Sequence, residues 1–325
     1  YKLDAGECIG EMSIIDGEPT SANVTAFEHS EVIAIASDIF WNTIAPIPGA
    51  ARNLLGVLTE RIRKRNDDTL KALERELRLE QLQKELDAAK GIQRGMLPVE
   101  MPLFASSPQI DVCAHMNAAW EVGGDFYDAF RPDERHACFV VGDVSGKGLP
   151  AALFMAQSMT LLKACLMHKF SLAEALGLWN QGLCERNGGH LFVSLFIAIV
   201  DLETGGMRYA NAGHNPPLIR RKSRWQPLDL PEGLIAGVQE DTVYEERNMQ
   251  LCAGDALVAF TDGINEARDA NKGFYGDDRL IATLQTLDDS DSTSRVTAVL
   301  DDVANFVGNE PQSDDMTLLA FRYLG

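Results

Sequence analysis

Four aspartates stand in short, glycine- and turn-rich motifs spread between residues 123 and 317 of this chain, and together they could hold hard divalent cations. They are Asp125 in Gly123-Gly124-Asp125-Phe126-Tyr127-Asp128, Asp143 in Gly142-Asp143-Val144-Ser145-Gly146-Lys147-Gly148, Asp262 in Thr261-Asp262-Gly263, and Asp314 in Ser313-Asp314-Asp315-Met316-Thr317. A fifth motif, Asn211-Ala212-Gly213-His214-Asn215-Pro216, lies between them. If the four carboxylates meet, their mutual repulsion raises each pKa unless cations neutralise them. Oxygen donors without paired His or Cys favour Mg²⁺ or Mn²⁺ over zinc. Two such cations about 3.5–4 Å apart acidify a shared water and clamp phosphate oxygens for in-line attack, so no protein nucleophile is needed. In keeping with this, the chain contains no G-x-S-x-G elbow and no C-x5-R phosphate loop. The alternative for any one aspartate is a turn residue or helix cap.

The elements that must deliver these side chains are legible as apolar runs. Ala137–Val141 leads into Asp143, Ala256–Phe260 leads into Asp262, and Met316–Phe321 leaves Asp314. Each has the length and content of a strand, so each carboxylate sits at a strand end, held rigidly and facing outward. Leu149–Leu166 is apolar with helical period and reads as a core helix, including Leu153, Met155, Met159 and Leu162.

Upstream, the texture changes twice. Residues 46–98 are charged and helical: Leu54, Leu58 and Ile62 recur at helical spacing, Leu70, Leu73 and Leu77 share one heptad phase, and Leu79, Leu82, Leu86 and Ala89 share another. Pro98 stops this helix. A parallel coiled coil that makes a homodimer and relays a signal is one reading; a single amphipathic linker helix is the other. Residues 1–45 are turn-rich with short β-type runs such as Val32–Ala36. Here Ile9-Gly10-Glu11-Met12 and Pro19-Thr20-Ser21-Ala22-Asn23-Val24 resemble the phosphate-binding cassette of cyclic-nucleotide-binding domains. That resemblance implies the C-terminal part of such a domain, with Glu11 at the ribose hydroxyl. Thr20 stands where the family places a phosphate-binding Arg, which leaves a degenerate or truncated sensor as the alternative.

The five downstream motifs, in this order, resemble the PPM family of metal-dependent protein phosphatases (protein phosphatase 2C-like), in its bacterial SpoIIE/RsbU-type branch, over roughly residues 85–325. Ile92-Gln93-Arg94-Gly95-Met96-Leu97-Pro98 resembles the segment leading into that domain. The resemblance implies an α+β fold of two stacked antiparallel β-sheets flanked by helices, at residues 99–325, after a β-rich fragment and a long linker helix. It implies that Asp143 bridges two metals, Mn²⁺ or Mg²⁺, with the Val144 carbonyl ligating too. Asp262 and Asp314 would hold one metal and Asp125 would support the other, while Asp315 would orient ligands from behind. The implied substrate is phosphoserine or phosphothreonine on a regulatory protein of the anti-sigma-factor-antagonist type. A catalytically silent scaffold of the same fold, or a cyclic-nucleotide-responsive module, is the competing reading.

Other features bound the answer. Lys147 either steers a phosphate or is a solvated loop lysine. His214 reads as a hydrogen-bonded structural residue in preference to a general acid, and Asn211 and Asn215 read as turn residues. The chain has 325 residues and a formal net charge of −19, which disfavours nucleic-acid and anionic-membrane partners. Six scattered cysteines without C-x-x-C spacing suggest reduced thiols in a cytoplasmic protein. No apolar run approaches the ~20 residues of a membrane span, and no signal-peptide pattern opens the chain. Because the first residue is Tyr1 and not Met, a fragment or processed form is expected.

Overall fold

The computed structural model describes residues 7–20, 23–98, 103–167, 171–185, 187–287 and 289–325. The chain divides into two compact units, residues 1–81 and 82–325.

The larger unit is built on two five-stranded antiparallel sheets. One has the order β1 (Ile110–Asn117), β10 (Met316–Tyr323), β9 (Ala256–Phe260), β6 (Leu218–Arg221), β7 (Arg224–Pro227). The other has the order β2 (Phe126–Phe130), β3 (His136–Val144), β4 (Val193–Asp201), β5 (Gly206–Ala212), β8 (Glu246–Gln250). The central strands are apolar on both faces because both faces are covered. Phe139 and Val141 of β3 pack between the sheets with Phe321 and Leu319 of β10, and the rings of Phe139 and Phe321 lie 4.8 Å apart. The alternate residues Cys138 and Val140 face the other way, into a layer closed by α4 (Leu149–Leu166) and α5 (Leu172–Cys184). On the far side, Val258 of β9 and Leu318 of β10 meet α7 (Asp277–Gln285) and α8 (Ser292–Val307). The strand period of two thus builds a four-layer sandwich in which every central side chain has a partner surface. Edge strands β7 and β8 are more exposed.

Local signals set the helix ends. Ser171 and Glu174 form a reciprocal capping box that starts α5, and Asp291 accepts the Ser294 N–H at the start of α8. Gly148 precedes α4 at φ 70°, a backbone region that disfavours side chains, and Pro150 opens the helix. By length and composition α4 is apolar enough to cross a membrane, but Met155, Leu162 and Ala151 are buried in the core. The strands expected at 137–141, 256–260 and 316–321 are β3, β9 and β10, and the apolar helix 149–166 is α4.

The smaller unit departs from expectation. Its described part consists of α1 (Glu11–Asp16), α2 (Ser37–Ile39) continuing into a π-helical turn (Phe40–Ile44), and the start of the 47-residue helix α3 (Ala50–Met96), which ends just before Pro98. The β-rich fragment is absent: among the described residues no strand precedes β1. Val32–Ala36 joins no ladder, and Ile33 is 92% exposed. An apolar run becomes a strand only where a neighbour satisfies its backbone, and no described segment does so. The cyclic-nucleotide cassette is not upheld either. Glu11 is buried and ion-paired with Arg61 of α3, whose guanidinium also donates to the Cys8 carbonyl, so this carboxylate is engaged within the protein. The cassette's Ser21 and Ala22 lie outside the described residues.

One contact in the sandwich is tight enough to test. A Cβ added to Gly142 would lie 2.4 Å from the fully buried Phe126 ring, its cross-strand neighbour. Gly142→Ala is expected to lower stability by about 1–3 kcal/mol through overpacking, read as a lower urea midpoint. An unchanged midpoint would show that Phe126 yields freely.

Candidate metal centre

The four motif aspartates come together at one end of the sandwich. Asp125 directly precedes β2, and Asp143 is the penultimate residue of β3, paired across to Ser194 of β4. From the opposing sheet, Asp262 follows β9 and opens the short helix α6 (Asp262–Asn265), while Asp314 lies in the loop before β10. Antiparallel pairing explains the convergence: the end of one strand and the start of its neighbour share an edge.

Asp125 is the deepest, at 2% exposure. Two threonines hold it. Thr261 Oγ1 donates to Asp125 Oδ2 at 2.6 Å and Thr317 Oγ1 donates to the same oxygen at 2.7 Å. The threonines are locked to each other, since the Thr317 N–H donates to Thr261 Oγ1 at 2.9 Å and the Thr261 N–H to the Thr317 carbonyl at 3.0 Å. Asp315 organises the approach from behind: Oδ2 accepts the Gly124 N–H at 2.7 Å and Oδ1 accepts the Ala119 N–H at 2.8 Å. Neighbouring glycines permit this closeness. A Cβ on Gly263 would sit 1.8 Å from the Asp315 carbonyl oxygen, and one on Gly124 would sit 2.5 Å from that of Val144.

The electrostatics are those of an uncompensated carboxylate cluster. Burial, then the neighbouring Asp143 charge, holds the Asp125 carboxyl well above the usual range. Burial, then Asp262 and Asp314, pushes Asp143 up to about 7, although a hydrogen bond with Asp125 offsets part of this. Asp262 is raised by burial and by Asp314. Lys147 is the cation at the rim, 3.2 Å from Asp314 Oδ2 and donating to the Ser313 carbonyl at 2.7 Å. Among the described residues no group of three or more His, Cys, Asp or Glu side chains is arranged so that it could hold a metal ion as it stands. The residues nevertheless fit hard cations: the donors are all oxygen, like charges are forced together in a buried place, and the Gly124 cradle leaves the Val144 carbonyl approachable.

His214 is placed as a structural residue. It is buried, its Nδ1 lies 2.7 Å from Ser194 Oγ, and its carbonyl accepts from Asn211 Nδ2 at 3.2 Å. Asn211 thereby shapes the turn it was expected to shape. Thr261, Thr317 and Gln93 were not anticipated. All three stand inside motifs already singled out, Thr261 directly before Asp262, Thr317 three residues after Asp314 and Gln93 in the segment Ile92–Pro98, but nothing in those motifs pointed to these side chains.

This fold is that of a PP2C-type phosphatase domain. The SiaA-PP2C domain of Pseudomonas aeruginosa superposes with a TM-score of 0.66 at 22% identity, covering 75% of this chain and 98% of that one. The model of the stage II sporulation protein E (SpoIIE) family matches residues 133–324, more than half of the sequence, and the chain belongs to that family. Among full-length relatives, it is similar to protein IcfG of Synechocystis, 28% identical over 73% of this chain and 41% of that protein. It is also similar to the phosphoserine phosphatase RsbU of Bacillus subtilis, 28% identical over 62% of this chain and 58% of that protein. The chain thus spans about half the length of these relatives.

His214 gives a pH test. Burial lowers its pKa to about 4, with the Phe260 backbone opposing. A histidine kept neutral in the fold contributes full stability above the unfolded value of ~6.5, and that contribution is lost as pH falls toward 4. Relative to His214→Gln, the wild type is expected to lose about 3 kcal/mol over that window in urea titrations. Parallel curves would remove His214 as the cause.

Proposed function

We propose that the protein is a Mn²⁺- or Mg²⁺-dependent serine/threonine phosphatase, and the observation that carries this is the meeting of Asp125, Asp143, Asp262 and Asp314 at one sandwich end, where burial and neighbouring carboxylates raise the Asp125, Asp143 and Asp262 carboxyls. Asp143 would bridge two ions, with the Val144 carbonyl, Asp262, Asp314 and Asp125 completing their oxygen ligands. The ions supply an acidified water and neutralise phosphate charge when bound. The chain does the rest. Thr261 and Thr317 orient Asp125, Asp315 holds the loop before it, and α6 places Asp262 directly after a rigid strand. Lys147, half exposed at the rim and paired with Asp314, would be free to meet an incoming phosphate on leaving that partner. His214 is buried and neutral near pH 7, bonded to Ser194, and so is poorly suited to give a proton to a leaving group.

We infer phosphoserine or phosphothreonine on a regulatory protein as the substrate. The name of the relative RsbU, a phosphoserine phosphatase, supports the chemistry, and the branch resemblance supports an anti-sigma-factor antagonist as the partner. Helix α3 leaves Leu70, Leu73 and Leu77 exposed in one heptad phase, which supports pairing with a second copy of the chain. Six free thiols support a reducing, cytoplasmic setting.

The test is hydrolysis of a phosphoserine peptide with Mn²⁺ against chelator, beside calorimetric Mn²⁺ titration. Asp143→Asn and Asp262→Asn are each expected to lower the Mn²⁺-dependent rate by a factor on the order of 10² or more while retaining the fold. Mn²⁺-independent turnover, or full activity in either variant, would overturn the reading.

A further inference from the structure

Few large aromatic side chains of the larger unit reach solvent. Among its described residues they are Trp120 at 59%, Phe192 at 40% and Phe274 at 54% exposure. Each stands on a segment joined to a motif of the metal centre. Trp120 directly follows Ala119, whose N–H donates to Asp315 Oδ1 at 2.8 Å. Phe192 exchanges two hydrogen bonds with Ser145 of the Asp143 motif. The Ser145 N–H donates to the Phe192 carbonyl at 2.8 Å, and the Phe192 N–H donates to Ser145 Oγ at 2.9 Å. Phe274 lies on the loop that leaves α6, where the Gly276 N–H donates to the carbonyl of Asn265, the last residue of the helix that Asp262 opens. Leu149, at the end of the Asp143 motif, adds an exposed aliphatic side chain.

The backbones that carry these side chains are fixed. The loop bearing Trp120 is pinned before and after it. Asn117 Nδ2 donates to Gln312 Oε1 at 2.9 Å, and Gln312 Nε2 donates to the Asn117 carbonyl at 2.8 Å. Gln93 Nε2 donates to the Gly123 carbonyl at 2.6 Å, and the Gly123 N–H donates to Gln93 Oε1 at 3.1 Å. Leu191, just before Phe192, is bonded through both its N–H and its carbonyl to the Asn187 amide. The Phe274 ring lies 4.8 Å from the Arg268 guanidinium. Aromatic groups on a rigid backbone lose little entropy on binding, and such groups anchor protein interfaces.

We infer that Trp120, Phe192, Phe274 and Leu149 form a docking surface for the segment of the phosphoprotein that flanks the phosphoserine, and that this surface selects apolar flanking side chains. The inference rests on the phosphatase reading above and names what the partner must present. A phosphoserine that enters the centre carries its chain neighbours across these segments, and what they offer is apolar area. Acidic flanks would meet Asp314 and a chain of net charge −19. Basic flanks would stack on aromatic faces alone. Leu149 offers no such face, and Arg268 already stands over the Phe274 ring.

The experiment uses the full chain with Mn²⁺ and three phosphoserine peptides that differ only in their flanking residues: leucine, glycine or arginine. The wild type is expected to favour the leucine-flanked over the glycine-flanked peptide by roughly tenfold or more in kcat/KM, mostly through KM. Trp120→Ala and Phe192→Ala are each expected to cut that preference about five- to tenfold. Turnover of the glycine-flanked peptide, Mn²⁺ affinity and the circular dichroism spectrum stay unchanged, and Trp120→Phe recovers most of the loss. A residue with only a structural role would slow both peptides alike. Equal kcat/KM for leucine and glycine flanks, a stronger preference for arginine, or an undiminished preference in folded alanine variants would overturn the inference. So would dissociation of a dimer by either variant in sedimentation, which would assign the aromatics to contact between copies of the chain. If the wild type turns over none of the peptides, the phosphatase reading fails. Anisotropy of the labelled leucine-flanked peptide, wild type against Trp120→Ala, then decides the docking surface by itself.

Discussion

The constraint on which the site depends is like-charge repulsion in a place from which water is largely excluded. Asp125 and Asp143 are brought together by strands whose register is set by the hydrophobic core, so they cannot separate to relieve the repulsion. The fold therefore holds an electrostatic debt that cations or protons must settle. The threonine pair does not neutralise that charge; it fixes the Asp125 carboxylate in place, while Asp315 holds the backbone before it.

The layered architecture explains why this holds without any dedicated loop scaffold. The strands that lead to or from these aspartates are packed in the core, and each aspartate lies within a residue or two of a buried position. Asp143 follows the buried Val140 and Val141, and Asp262 follows the buried Phe260 and Thr261. Rigidity reaches the site through the same apolar side chains that build the core, so the core and the chemistry share one set of positions.

Much of this was legible beforehand, for reasons that can be named. The strands flanking Asp143, Asp262 and Asp314 carry uninterrupted apolar runs because they are covered on both faces, and α4 is apolar along its length for the same reason. The motif glycines announce close backbone approach. What the sequence did not reveal was pairing. Val32–Ala36 has the composition of a strand but finds no ladder, and Glu11 has the type expected of a ligand group but finds Arg61. Gln93 was hidden because one amide in a charged helix has no periodic signature. Its meaning comes from Gly123, thirty residues away.

The threonine lock has a further consequence for protons. Thr261 Oγ1 accepts from a backbone N–H and gives its own hydrogen to Asp125 Oδ2, where Thr317 also donates. Both in-plane positions on that oxygen are thus taken. Burial raises the Asp125 carboxyl, so a proton it takes up is left Oδ1, the oxygen that no threonine holds. A cation binding at that edge would have to compete with this proton, which would tie its uptake to acidity.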